Sequence, residues 1–334
     1  MTGIWKANLP QWVWACLPFW IASLIFALDG KAPEEWGTLI LFMFTAIMVQ
    51  ATSEFANTYV DRHEDRVYVP SNPLVTGELT EGTARKALIL ENIVEGLLLL
   101  AILLVTRNYY LTITMAVIWF AGLAYSLPPF KFKETIAGPV SFALPTALIP
   151  ISAYLLVVGS LDSFVIAFAA LLFVGTLGAN ISTGQLRKTA EALTHGLIRI
   201  EEGNSICNIK TIGLGVKFKT AMALEAIASL TAFILVIIFW HLDIFPMALS
   251  IALLASSSPF ALLTVLFRIK NRVGNAQKCV QFAGIAALFV MLSFFSVSLI
   301  DVLHWHWGFA ILACIVFLIG FALLFKRVRP YRPA

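Results

Sequence analysis

Long apolar segments alternate with short polar stretches along the whole chain. A helix needs about 20 mostly apolar residues to cross a bilayer. Ten segments approach or meet this length: 11–29, 36–56, 86–106, 109–127, 136–158, 162–182, 218–240, 244–267, 279–300 and 305–326. They are apolar on every face, which favours membrane helices over the alternating strands of a membrane barrel. The pattern predicts an all-α integral membrane protein with nine to ten transmembrane helices in a single domain, residues 1–334.

The basic residues fall almost entirely on one side of this predicted topology. Of the 23 lysines and arginines, all except Lys31 and Arg107 lie in loops or termini that share one face of the membrane. Since cytoplasmic loops are enriched in these residues, both termini are predicted to be cytoplasmic, most simply in a bacterial or archaeal plasma membrane. The net charge of +4 follows from this bias and does not indicate a nucleic-acid partner.

The composition agrees with a lipid environment: 60% of residues are hydrophobic and 13% are charged, where soluble domains carry about a quarter charged residues. Three predicted cytoplasmic loops are long, at about 57–85, 128–135 and 183–217, whereas the outer loops have only a few residues. Chemistry on polar groups is therefore expected at the cytoplasmic mouth of the bundle, with these loops as its cap.

The first long loop opens with polar residues at regular spacing, Asn57-Thr-Tyr-Val-Asp61-Arg-His-Glu-Asp65. Residues four apart lie on one face of a helix, so Asn57, Asp61 and Asp65 are predicted to form a stripe below the second span. Mg²⁺ favours carboxylates together with phosphate oxygens, and acids beside a membrane span are often functional. The stripe favours a magnesium–diphosphate site, and the alternative is a solvated helix end with ordinary charges.

Two more polar sequences border the same predicted mouth. One is Asn72-Pro-Leu-Val-Thr-Gly77, and the other is Tyr125-Ser-Leu-Pro-Pro-Phe-Lys131-Phe-Lys133. The paired prolines end the fourth span, and the two lysines that follow place positive charge beside it. As an alternative, Lys131 and Lys133 only anchor the topology.

In this order and at these helix boundaries, the three sequences resemble the UbiA superfamily of intramembrane prenyltransferases. That family carries N-x-x-x-D-x-x-x-D after its second helix, an R-P-L-x-x-G-like stretch soon after, and Y-S-x-P-P-x-R/K-x-K after its fourth. The resemblance covers roughly residues 11–240. It implies a helical bundle around a lipid-facing cavity, with Mg²⁺ bound by Asp61 and Asp65 and supported by Asn57.

The chain departs from the family pattern at two places. The arginine of R-P-L is Asn72 here. In the second family motif, N-D-x-x-D-x-x-x-D, Asn180 is kept, but Ile181, Gly184 and Lys188 replace the aspartates.

Three interpretations of this altered motif stay open. Lys188, helped by Arg187, supplies the positive charge that a second metal normally supplies, since lysine binds phosphate as a point charge. Alternatively, Glu201 or Glu202 supplies displaced metal ligands, or the site is impaired or repurposed. Under the first interpretation the predicted catalytic residues are Asp61, Asp65 and Lys188. The residues predicted to contact the diphosphate are Asn57, Arg66, Asn72, Tyr125, Ser126, Lys131, Lys133, Asn180 and Arg187.

Acidic residues inside predicted spans are a separate class of candidates. Glu91 and Glu95 lie in the third span and Glu225 in the seventh, and intramembrane acids are functional-site hypotheses by default. Glu225 is a candidate base for removing a proton at the end of the reaction. Glu91 and Glu95 face either a cavity or the lipid headgroups.

The resemblance implies Mg²⁺-dependent ionisation of an isoprenoid diphosphate, with transfer of the prenyl group to an aromatic or other small acceptor. The alternatives are a membrane terpene cyclase, transfer of a phosphorylated sugar to a prenyl phosphate, and a non-catalytic lipid-binding or transport protein. A transporter is disfavoured, because its polar sites usually lie at mid-membrane between repeats. The expected partners are a prenyl diphosphate, an acceptor and membrane lipid. The sequence leaves the chain length, the acceptor and the oligomeric state undefined.

Overall fold

Apolar sequence and well-placed caps determine where the helices lie. The structure is a computed structural model that describes residues 2–8, 10–68, 71–186, 189, 192–193, 208–211, 214–254, 292–304 and 306–328. Its α-helices are α1 (Thr2–Ala7), α2 (Pro10–Leu28), α3 (Trp36–Val60), α4 (Asp65–Tyr68), α5 (Glu81–Thr106), α6 (Tyr109–Ser126), α7 (Gly138–Val157), α8 (Ser163–Asn180), α9 (Phe218–His241) and α10 (Trp307–Val328). Residues 247–254 and 292–297 are also helical.

Six helices are long and apolar enough to cross a membrane: α3, α5, α6, α7, α8 with the turn that follows it, and α9. The apolar helices Cys16–Leu28, Leu292–Val302 and Trp307–Leu323 are shorter. The described chain is thus an all-helical, multi-pass membrane protein without strands. The predicted spans 244–267 and 279–300 extend outside the described residues, so the total of nine to ten spans stays a prediction, as does the single domain.

Helix α5 shows how the local sequence sets a boundary. It begins at Glu81 rather than at residue 86, because the Thr80 side chain accepts a hydrogen bond from the Thr83 backbone N–H, as an N-cap does. An apolar run predicts only the lipid-exposed part of a helix, so the polar first turn of α5, from Glu81 to residue 85, was not predicted. The exposed face of α5 is strongly apolar, as lipid contact requires, and includes Leu90, Ile93, Leu97 and Leu104.

The described residues form two compact units. The first comprises Met1–Phe130, Leu148–Leu161 and Ser298–Ala334. Within it, α3 packs against α2, α5 and α6, and α10 packs against α2. The Trp14 indole donates a hydrogen bond to the Phe317 carbonyl at 3.0 Å, which joins α2 to α10.

The second unit comprises Lys131–Ala147 and Asp162–Val297. Helices α8 and α9 pack together in it, and a Cβ added at Gly178 of α8 would lie 3.1 Å from the Ala228 Cβ of α9. A π-helical turn, Ile181–Leu186, continues directly from α8. Its buried residues pack on the start of α9 in one apolar cluster with Leu214, Phe218, Ala221 and Met222.

Candidate active site

The predicted stripe of Asn57, Asp61 and Asp65 lies at the C-terminal end of α3. The backbone N–H of Asp61 donates to the Asn57 carbonyl at 2.9 Å, and that of Asp65 donates to the Asp61 carbonyl at 2.7 Å. These bonds keep the spacing of four residues beyond Val60, where α3 ends, up to the start of α4. Asp61 is buried, with 7% of its surface exposed. The backbone therefore keeps the expected spacing of four residues between Asn57, Asp61 and Asp65.

Asn72 lies against the last member of this stripe. Its side-chain amide donates to Asp65 Oδ2 at 2.7 Å and to the Thr58 carbonyl at 3.1 Å. Its Oδ1 atom accepts from the Leu74 backbone N–H at 2.9 Å. The loop after α4 therefore folds back onto the end of α3 through a single asparagine.

The first member of the stripe contacts α6. Ser126, the last residue of α6 and fully buried, donates its hydroxyl to Asn57 Oδ1 at 3.0 Å. One turn earlier on both helices, Gly122 faces Ser53 so closely that an added Cβ would lie 2.1 Å from the Ser53 Oγ. The small size of Gly122 lets α6 approach α3 and brings Ser126 within reach of Asn57.

The neighbouring basic residues differ in their environments. Arg62 is engaged by the protein: its guanidinium contacts Glu81 Oε1 at 2.6 Å and lies 4.6 Å from the centre of the Tyr59 ring. This contact links the end of α3 to the start of α5. Arg66, a predicted diphosphate contact, is exposed, and Tyr125 is half-buried.

These side chains suit a hard cation that also binds phosphate. Among the described residues, no group of three or more His, Cys, Asp or Glu side chains is placed to hold a metal ion by itself. Asp61 and Asp65 supply two carboxylates and Asn57 an amide oxygen within two turns. Mg²⁺ is typically bound by one or two carboxylates together with substrate phosphates and water, so this incomplete set fits Mg²⁺ with a diphosphate.

The second unit holds the other predicted diphosphate contacts. Lys131 directly precedes the short 3₁₀ turn Phe132–Glu134 and contacts Glu134 at 3.2 Å, whereas Lys133 lies within the turn and is buried. The Gln185 amide, in the π-helical turn, donates to the Lys133 carbonyl at 3.3 Å. This bond holds the backbone of a candidate phosphate-binding residue against the turn that follows α8.

The comparison with known families decides the assignment. Residues 15–285 match the UbiA prenyltransferase family. The chain belongs to this family.

Solved structures share the fold of this UbiA protein. A UbiA homologue from Archaeoglobus fulgidus bound to DMAPP and Mg²⁺ has a TM-score of 0.63 at 18% identity, and the match covers 88% of this chain and 98% of that one. The same homologue bound to GPP and Mg²⁺ has a TM-score of 0.62 at 18% identity, covering 88% and 99%.

A structure from work on digeranylgeranylglyceryl phosphate synthase in membranes has a TM-score of 0.61 at 18% identity, covering 89% of this chain and 99% of that one. At this identity the likeness establishes the fold alone. Among curated proteins, none matches this sequence significantly.

The altered second motif of this UbiA protein is described only in part. Asn180 is buried at the end of α8, and a Cβ added at Gly184 would lie 3.5 Å from its side-chain amide. The methyl group of an alanine would therefore fit at Gly184 without a clash. Arg187 and Lys188 lie outside the described residues, as do Glu201 and Glu202.

Two features of the site were not anticipated from the sequence. Gln185 lies among the second-motif residues, but no spacing in the sequence pairs it with Lys133, whose carbonyl it reaches from the π-helical turn. The docking of α1 beside the first motif was also missed, although Lys6 and Glu78 have opposite charges. Their side chains contact at 2.7 Å.

The three acidic residues of the predicted spans have different environments. Glu95 is fully buried on α5, and neither of its carboxylate oxygens has a hydrogen-bond partner within the part of the chain that the structure describes. Glu91 accepts from the Asn8 side chain at 3.1 Å, and Glu225 accepts from Ser229 at 3.3 Å. None of these contacts involves the stripe.

Proposed function

We propose that this protein is a Mg²⁺-dependent intramembrane prenyltransferase that transfers the prenyl group of an isoprenoid diphosphate to an aromatic or other small acceptor. The observation that carries the proposal is the stripe of Asn57, Asp61 and Asp65 at the end of an apolar helix, with Ser126 and Asn72 bonded to its two outer members. Such a stripe at the boundary of a span meets a charged diphosphate head while the prenyl chain stays in an apolar environment.

In this proposal Asp61 and Asp65 hold Mg²⁺ and Asn57 supports it. The A. fulgidus homologue is bound to Mg²⁺ together with DMAPP or GPP, which supports the same pairing of metal and diphosphate here. When bound, Mg²⁺ offsets the negative charge that develops on the departing diphosphate. The chain's task is to orient the carboxylates and to hold them close to the phosphate oxygens.

The reaction requires one bond to break and one to form. The bond between the allylic carbon and the diphosphate oxygen breaks, and its electron pair leaves with the diphosphate. An electron pair of the acceptor then bonds to the allylic carbon, and the acceptor loses a proton. Positive side chains lower the barrier by stabilising the leaving group. The sequence motifs assign this role to Lys131, Lys133 and Lys188, with Arg66, Tyr125, Asn180 and Arg187 as further diphosphate contacts.

Water has to be excluded, because it would convert the allylic cation to an alcohol. The apolar helices and the surrounding lipid keep the prenyl chain dry, and aromatic faces stabilise a nearby cation. From the distribution of basic residues we further propose that the active site faces the cytoplasm, most simply in a bacterial or archaeal plasma membrane.

Substitution of the two stripe carboxylates tests the proposal. Removing one preorganised group that stabilises transition-state charge typically costs about 10²–10³ in kcat. Asp61→Asn and Asp65→Asn are each expected to lower Mg²⁺-dependent release of pyrophosphate by that order, with the protein still folded. Glu64→Gln is the matched control, since Glu64 lies in the same turn but is exposed and off the stripe.

The control variant is expected to keep its activity. Equal losses in Glu64→Gln and in the two aspartate variants would mean that general surface charge, rather than the stripe, drives the reaction. Full activity in Asp61→Asn and Asp65→Asn would remove the basis for the proposed metal site.

A further inference from the structure

We propose that Asn72 is a positioning residue, which holds the Asp65 carboxylate for metal binding rather than contacting the diphosphate itself. The inference rests on the proposed function, because it assigns a role within the same site. It differs from the sequence-based expectation, in which Asn72, at the place of the family's R-P-L arginine, contacts the diphosphate.

The hydrogen-bonding capacity of Asn72 is used within the protein. A side-chain amide has two N–H donors and one carbonyl acceptor. One donor reaches Asp65 Oδ2 at 2.7 Å and the other reaches the Thr58 carbonyl at 3.1 Å, while the Leu74 N–H binds the carbonyl at 2.9 Å. With 3% of its surface exposed, Asn72 has no donor left for a phosphate oxygen.

Asp65 needs such support because the helix does not continue to it. Helix α3 ends at Val60, and α4, which begins at Asp65, has only four residues. The last carbonyls of a helix lack partners inside it, and Asn72 also satisfies one of these, at Thr58. One amide therefore fixes both the end of α3 and the carboxylate that follows it.

The loop that carries Asn72 is itself held in place by α1. Lys6 pairs with Glu78 at 2.7 Å, and Ala7 and Leu79 pack with Phe55 in one buried cluster. A Cβ added at Gly3 would lie 2.8 Å from the Glu78 carbonyl, so α1 lies directly on the loop backbone. These contacts make the loop a fixed support for the Asn72 amide.

Hydrogen-bonded partners of metal ligands usually change metal affinity or activity by about 10–100-fold when they are removed. Asn72→Ala is therefore expected to raise the Mg²⁺ concentration at half-maximal activity by about that factor, with kcat at saturating Mg²⁺ largely retained. Asn72→Asp is expected to lose more affinity, because it removes both donors and places a second carboxylate against Asp65.

The experiment uses the full-length protein purified in detergent. The Mg²⁺ dependence of pyrophosphate release is measured with a fifteen-carbon prenyl diphosphate, and Mn²⁺ binding is measured by electron paramagnetic resonance without turnover. Asn108→Ala is the matched control. Asn108 makes the same kind of bonds, donating to the Leu155 carbonyl at 2.8 Å and accepting from the Leu111 N–H at 3.0 Å, at the opposite end of α6 from Ser126.

Asn108→Ala is expected to lower thermal stability without changing the Mg²⁺ constant or Mn²⁺ binding. A purely structural role for Asn72 would give the same result in Asn72→Ala, and that outcome would overturn the inference while leaving the proposed function intact. If Asp65→Asn itself leaves the Mg²⁺ constant unchanged, the proposed metal site is wrong and the inference fails with it. If Asn72→Ala does not fold, the same measurements are made on Asn72→Asp, which keeps the acceptor for the Leu74 N–H and with it the fold of the loop.

Discussion

Substitution of Gly122 by alanine tests whether close packing of α3 and α6 supports the site. The added Cβ would lie 2.1 Å from Ser53 Oγ and 2.9 Å from Ser53 Cβ. Rotation of the Ser53 hydroxyl relieves only the first contact. Ordinary contacts between carbon atoms begin at 3.4 Å. To bring the added Cβ and the Ser53 Cβ from 2.9 Å to that distance, α3 and α6 must separate locally by about 0.5 Å.

The separation has a structural and a functional consequence. Overpacking of this kind typically costs about 1–3 kcal/mol of stability, which predicts a lower apparent Tm. The Ser126–Asn57 bond, one turn further along both helices, would lengthen from 3.0 Å to about 3.5 Å, the outer limit for a useful hydrogen bond. Gly122→Ala is therefore also expected to reduce activity, since the hydrogen bond that Ser126 donates to Asn57 is weakened.

The assay combines thermal unfolding in detergent with Mg²⁺-dependent pyrophosphate release. Ser53→Gly removes both clashing atoms at a cost of about 1 kcal/mol for glycine in a helix, so the double variant is expected to recover much of the loss. Gly96→Ala on α5 is the control, because no atom lies within 4 Å of its added Cβ. An unchanged Tm and activity in Gly122→Ala, or no rescue by Ser53→Gly, would mean that the contact between Gly122 and Ser53 does not set the distance between α3 and α6.

Three other substitutions probe the support around the site. Gln185→Leu removes the hydrogen bond to the Lys133 carbonyl. If the net worth of that bond, about 1 kcal/mol, is lost from binding of the prenyl diphosphate, its KM rises roughly fivefold. An unchanged KM would mean that Gln185 does not position Lys133. Lys188→Ala is expected to lower activity and alter its magnesium dependence, and full activity with unchanged dependence would reject a phosphate-binding role. Lys6→Ala breaks a partly exposed pair with Glu78, so a loss of no more than about 1 kcal/mol is expected; a much lower Tm would mean that α1 is held mainly by this pair.

The sequence was sufficient for the parts of the fold that depend on local periodicity. Long apolar runs predicted the six described helices that are long and apolar enough to cross a membrane, and the spacing of Asn57, Asp61 and Asp65 predicted that they would share one face. Their backbone bonds preserve that spacing even after α3 has ended, because the turn that follows repeats the same i to i+4 geometry.

The remaining features depend on contacts between residues far apart in the chain. Asn72 was expected to contact the diphosphate from its place in the motif, but its three bonds are fixed by how the loop folds back onto α3. Gln185, in the π-helical turn, meets Lys133 across 52 positions of the chain. A local pattern carries no information about either contact.

Mg²⁺-dependent prenyl transfer is tested most directly by measuring pyrophosphate release by the purified protein. The substrates are ten-, fifteen- and twenty-carbon prenyl diphosphates. Reactions are run with Mg²⁺ or a chelator and with or without aromatic acceptors, and the products are identified by mass spectrometry. A prenyltransferase is expected to release pyrophosphate only with Mg²⁺ and to form an equal amount of prenylated acceptor. Cyclic hydrocarbons or terpene alcohols formed without an acceptor would contradict prenyl transfer and indicate a cyclase. No release under any of these conditions would contradict ionisation of a prenyl diphosphate.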